Sequence, residues 1–149
     1  MTEAQRTIEE FVDYVLSGKT AISDLSELAT HLDKLAYSIN HVNYEFDETD
    51  YPDAPARNYA ESRAIVEKRF PELGYYNVVK DISENIESTK VLVGDSVDDL
   101  VDIAGDLQDV LWYFENTSAD DALWHFRNSY TSHWGRHLRD LQFYLHDKL

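Results

Sequence analysis

Apolar side chains recur three and four residues apart along most of this chain, the spacing that lines one face of an α-helix. Ile8, Phe11, Val12 and Val15 predict a first helix, which Gly18 ends. Ser23 is placed to cap a second, carrying Leu25, Leu28, Ala29, Leu32, Leu35, Ala36 and Ile39 on one face. From Asn43 to Pro55 the stretch NYEFDETDYPDAP has no period and contains two prolines, so it reads as a long loop or a lid. A third helix is expected from about Ala56 to Phe70, closed by Pro71 and Gly74. GYYNVV then reads as a short extended or irregular piece.

The last third is the most regular. A helix starting near Asp81 or Leu92 places Val93, Val97, Leu100, Val101, Ala104, Leu107, Leu111 and Phe114 on one side at about 100° per residue. Asn116 and Thr117 break that pattern. Ser118-x-x-Asp121 resembles a capping box with aspartate in the usual glutamate position, launching a final helix that runs almost to Leu149. So short a break makes the two helices an antiparallel hairpin. The expected architecture is all-α: a compact bundle of about five helices forming a single domain over residues 1–149.

Composition narrows the function. A chain of 149 residues buries roughly two-thirds of its unfolded surface, so neither metal nor disulfide is needed merely to fold. There is no cysteine, which excludes thiol nucleophiles and thiolate zinc sites and fits a reducing, cytoplasmic setting. The polar start MTEAQRTIEEF lacks the basic head and apolar run of a secretory signal, and no apolar stretch is long enough to span a bilayer. The formal charge of −16 repels phosphate backbones and anionic membranes, so neither nucleic acid nor membrane is an expected partner. A protein partner drawn to the acidic surface is compatible with it.

Two groups of residues carry candidate chemistry. In GDSVDDLVDIAGDLQD, Asp95, Asp98, Asp102, Asp106 and Asp109 resemble a carboxylate ladder for a divalent cation. By helical angle all five point away from the apolar face, as a solvated stripe does, and only Asp99 sits near the edge of that face. The final helix differs: with Leu123, Tyr130, Trp134, Leu141 and Leu145 inward, Arg127 and His137 fall within the apolar face and His133 at its edge. Buried ionisable groups need partners. Antiparallel counting from Thr117 sets His133, Arg136 and His137 level with Asp98, Asp99 and Asp102.

Three arrangements satisfy such a network. It is a purely structural histidine–arginine–aspartate lattice; or a metal site in which His133 and His137 supply nitrogens and Asp99 or Asp102 oxygen; or an anion pocket gathered by Arg127, Arg136 and His137. A zincin-type protease is excluded, because His133-Trp-Gly-Arg-His137 lacks the glutamate base. Ser129 and Ser132 lie on a helix, away from any strand-to-helix elbow that would activate a hydrolase serine.

The segments FPELGYYNVVKD, VGDSVDDLVDIAGDL and DALWHFRNSYTSHWGRHLRDLQFYLH resemble a bacterial domain-of-unknown-function family, number 5063, with its W-x-[WF]-R-x-S-[FY]-x-x-HWGRH helix. The resemblance implies a compact, all-helical domain and brings no activity with it. Where the family carries a Tyr-Arg pair after the Asp-Ile step, this chain has Ala104 and Gly105. A looser likeness, to all-helical nucleoside triphosphate pyrophosphohydrolases with their E-x-x-E and later E-x-x-D pairs, rests on Glu84-x-x-Glu87 followed after a short spacer by Asp99-x-x-Asp102, with Asp99 in the place of the second pair's glutamate. In that reading the four carboxylates hold Mg²⁺ and Arg136 or Lys80 neutralises charge. The function drawn from the sequence is a small binding or regulatory module acting on a protein partner through its acidic surface. The alternative is a divalent-metal-dependent hydrolase using the Asp/His cluster between the last two helices.

Overall fold

In the computed structural model, residues 1–17 and 23–149 are described. Helix α1, Glu3–Val12, starts where the Thr2 hydroxyl accepts the Gln5 amide at 3.0 Å and buries Ala4, Ile8 and Phe11. A π-helical turn, Asp13–Ser17, continues it and buries Tyr14 and Val15. The expected stop at Gly18 lies outside the described residues. Helix α2, Leu25–Ile39, buries Leu28, Leu32, Leu35 and Ile39. Its cap is Asp24, whose carboxylate accepts the Ser26 amide at 2.8 Å, and not Ser23, whose hydroxyl turns to the Arg69 carbonyl. Residues 43–58 then form an irregular strap. Helix α3, Tyr59–Arg69, is capped by Asn58, begins three residues later than expected, and buries Val66 alone.

Beyond α3 the chain departs from the expected helix. Residues 81–95 are not helical: Tyr75–Val79 (β1) pairs antiparallel with Val91–Asp95 (β2), from Tyr75 opposite Asp95 to Val79 opposite Val91. Val93, expected in a helical core face, is 76% exposed on this ribbon. The β-branched residues Val91 and Val93 favour strand, and Asp95 caps the helix that follows by accepting the Val97 amide at 3.1 Å. The fold is therefore mostly helical with a small two-stranded sheet, where an all-α chain was expected. At Gly94 a Cβ would lie 2.6 Å from Cζ of Tyr76. Glycine lets the Tyr76 ring lie flat across the ribbon.

Helix α4, Ser96–Asn116, is the central element and buries Val97, Leu100, Val101, Ile103, Ala104, Leu107 and Val110. After Thr117 the Ser118 hydroxyl accepts the Asp121 amide at 3.1 Å, as the capping box requires, and α5 runs Ala119–Ser129. A π-helical turn, Tyr130–Trp134, leads without a break into α6, Gly135–Lys148. One core cluster draws side chains from α1, α2, α3, α4, α5 and α6. Among the described residues no helix is long and apolar enough to cross a membrane.

The π turn explains why helical angles misplaced some residues. Phe126 and Trp134 are eight apart, roughly 80° out of line on a regular helix, yet both are fully buried with rings stacked at 5.4 Å. The extra residue in the turn restores their alignment and carries the α5 core face into that of α6. Gly135 permits it, because its amide bonds the Tyr130 carbonyl and a Cβ would lie 2.4 Å from that same oxygen. Gly135→Ala gains about 1 kcal/mol of helix propensity but drives a methyl into backbone, a clash worth about 1–3 kcal/mol. We expect a lower urea midpoint for Gly135→Ala; a midpoint at or above wild type contradicts this reading of the turn.

Candidate metal centre

The aspartate stripe that runs from Asp95 along α4 is only partly exposed, because neighbours flank it on both sides. On one side it meets α3 and the strap: Arg63 reaches Asp95 at 2.9 Å, Tyr59 donates to Asp98 at 2.5 Å, and Arg57 pairs with Asp106 at 3.3 Å and Asp109 at 3.1 Å. On the other it meets two histidines of the last helical run. Helical angle tells where the stripe stands relative to α4's own apolar face; it does not tell whether neighbours close over both flanks.

Asp99 is the deepest member, 5% exposed. One oxygen accepts the Tyr76 hydroxyl; the other lies 2.7 Å from Nδ1 of His137. Nε2 of His137 lies 3.2 Å from Asp102 Oδ2. A turn away, Nδ1 of His133 lies 2.6 Å from Asp106 and its Nε2 3.7 Å from that same Asp102 oxygen. As residue numbers rise along α4 they fall along the final run. His133 sits about one turn further along α4 than counting at 1.5 Å per residue placed it.

Charge follows from this geometry. Hydrogen bonds to Asp102 and then Asp99 outweigh burial and push His137 up to about 10. Burial works to raise Asp102, but the His137 hydrogen bond and the two nearby histidines hold it below the usual carboxylate range. Burial pushes Asp99 up, against the donors His137 and Tyr76. Burial also raises the Tyr76 phenol, and its hydrogen bond to Asp99 adds to that. In the bare protein His137 is therefore an imidazolium held between two carboxylates.

The remaining candidates lie elsewhere. Arg127 is half-buried, donates to the Ile39 carbonyl at 3.3 Å and stands over the Tyr130 ring. Arg136 is exposed, bonds Asp140 at 3.0 Å and reaches the Val79 carbonyl at 2.5 Å, fastening the ribbon to α6. These arginines and His137 face three different surroundings and form no common anion pocket. Asp98 turns to Tyr59. Glu84 and Glu87 stand exposed in the connection between the strands, and among the described residues they join no group of prospective metal ligands. The four-carboxylate Mg²⁺ set is not assembled.

What is assembled is smaller. Asp102, His133 and His137 each offer one ligand atom, and the three atoms lie within 4.8 Å of one another. Asp99, grouped with possible ligands on sequence grounds, instead holds the far nitrogen of His137, as Asp106 does for His133. Sequence reading missed Tyr76, Arg57, Tyr59 and Arg63, although a surplus of carboxylates on one helix was itself a signal that donors must come from elsewhere.

The fold and site define a mostly helical domain with a two-stranded ribbon and an Asp/His centre between its longest helix and its last. The chain belongs to the family described as domain of unknown function (DUF5063), whose model matches residues 2–148, as the HWGRH motif implied. It is similar in fold to the crystal structure of protein BF1032 from Bacteroides fragilis, with a TM-score of 0.73 and 18% identity over 97% of this chain and 89% of that one. No curated protein matches it.

His137 also makes stability depend on pH in a definite direction. Its value in the folded protein lies above the ordinary 6.5, so its contribution is whole below pH 6.5 and drains away as pH rises toward 10. Urea midpoints of the wild type should fall between about pH 6.5 and pH 9.5, and His137→Gln should flatten that fall. Parallel profiles for the two proteins would show that His137 is not held charged.

Proposed function

We propose that this domain binds one first-row divalent metal ion, held by Nε2 of His133, Nε2 of His137 and the Asp102 carboxylate. One observation carries the reading: each Nδ1 is engaged by a separate carboxylate, Asp106 at 2.6 Å and Asp99 at 2.7 Å, and both Nε2 atoms are left near one Asp102 oxygen. Metal-binding histidines characteristically give their other nitrogen to a carboxylate, which fixes the ring and raises its basicity. Two imidazoles and one carboxylate suit Zn²⁺, Fe²⁺ or Co²⁺ better than Mg²⁺ or Ca²⁺, which prefer all-oxygen sites. The ion takes the place of the proton that His137 now shares with Asp102.

This supports the metal-dependent alternative drawn from the sequence, through histidines and one aspartate and not through paired glutamates. The other function, docking a protein partner through an acidic surface, draws less on the flanked α4 stripe than on exposed carboxylates elsewhere, among them Glu45, Glu48, Asp50 and Asp53 of the strap. An antiparallel pairing of α4 with the final run is part of the proposal, because it places both histidines opposite Asp102.

Calorimetric titration of chelator-stripped protein with Zn²⁺ and Co²⁺ tests the site. The expected result is one ion per chain, with affinity reduced more than about 100-fold in His133→Ala and Asp102→Ala and about 10–100-fold in Asp99→Asn, where only the orienting contact is weakened. No uptake by the wild type, or equal uptake by all four proteins, refutes the assignment.

A further inference from the structure

Resting on that metal reading, we infer that the ion keeps coordination positions open to the cleft between α4 and the end of the strap where it enters α3, and that there a small oxyanion, phosphate or carboxylate, completes its sphere with Arg57 as second contact. Among the described residues the prospective ligand set stops at three. The next carboxylates, Asp99 and Asp106, are committed to the far nitrogens of the two rings. Three protein ligands with a vacant position is the arrangement of ions that act on a bound molecule, whereas structural ions are closed by four. His133 is 47% exposed in its side chain, so the centre is not sealed.

The cleft has a volume of about 340 Å³, and its wall joins Asp102, Gly105 and Asp109 of α4 to Arg57, Asn58, Tyr59 and Ser62 opposite. Asp102 thus belongs to both the ligand set and the cleft. Arg57 crosses above it. Its Nη2 and Nε pair with Asp106 and Asp109, while Nη1 lies against the helix at Gly105, three residues beyond Asp102. A Cβ at Gly105 would stand 1.6 Å from Nη1, so glycine is what lets the guanidinium lie down on α4 there. A planar guanidinium beside a divalent cation is a setting that recognises an oxyanion's separated oxygens.

Without the ion, Asp102, Asp106 and Asp109 outnumber Arg57, and an anion is repelled; a divalent ion neutralises that excess and sets a local positive charge beside Arg57. Oxyanion binding should therefore require the metal.

The experiment follows the visible absorption of the Co²⁺-loaded protein during titration with inorganic phosphate and, separately, acetate. The expected result is a saturable change of the Co²⁺ bands in wild type, no phosphate binding by calorimetry in the metal-free protein, and roughly tenfold weaker binding in Arg57→Gln and Gly105→Ala, as loss of one charge-assisted contact implies. Gly105→Ala keeps the arginine but lifts it off the helix, so it separates position from charge. Bands unmoved by either anion, or equal affinities in all three proteins, overturn the inference while leaving the metal site standing. Absence of Co²⁺ bands at the outset overturns both.

Discussion

A carboxylate taken out of water must be answered by donors, and in this fold that requirement falls on Asp99. Its helix packs among apolar neighbours that leave it almost no contact with solvent, and leaving a buried ionisable group unpaired costs several kcal/mol, comparable to a whole domain's net stability. Tyr76 from the ribbon and His137 from α6 supply the donors. Three elements far apart in sequence are thereby fixed to one side chain. Gly94 lets the tyrosine lie across the ribbon, and the π turn helps set the rotation of α6 that brings His137 to Asp99.

From that contact the rest of the polar centre follows in sequence along α4. His137, held through Nδ1, presents its other nitrogen to Asp102; Asp106 does the same for His133 and is in turn shared with Arg57. The result is a chain of alternating acids and bases spanning the strap, α4 and the last helix. Such a lattice holds the bare fold as an ion-pair network and, in the metal-bound form proposed above, would serve as a ligand sphere whose orienting contacts are already made. The two roles share the same atoms. What distinguishes this lattice from an ordinary buried network is the convergence of two Nε2 atoms on one oxygen.

Much of this was legible in the sequence. The helical faces of α1 and α2, the start of α5 at Ser118 and the HWGRH motif could all be read from residue spacing, because each depends on neighbours within a turn or two. Val91-Leu92-Val93 could not be assigned by its spacing: a short apolar run suits the first turn of a long helix as well as a strand, and only its pairing with Tyr75–Val79 decides. Arg127 was placed inward because one angular scale was run through a helix that gains a residue at Tyr130–Trp134. Arg57 and Tyr76 were invisible as site residues, since one reaches α4 from the irregular strap and the other from a short strand, and no local pattern reports a contact made across 23 or 49 residues.

The central claim is that both rings are held through Nδ1 by carboxylates and turn Nε2 toward Asp102. Two-bond proton–nitrogen spectra of the imidazoles, recorded before and after one equivalent of Zn²⁺, test it at the atoms concerned. The account predicts that the Nε2 resonances of His133 and His137 move to metal-bound positions together while both Nδ1 atoms remain protonated. Coordination through Nδ1, or movement of one ring without the other, would contradict it.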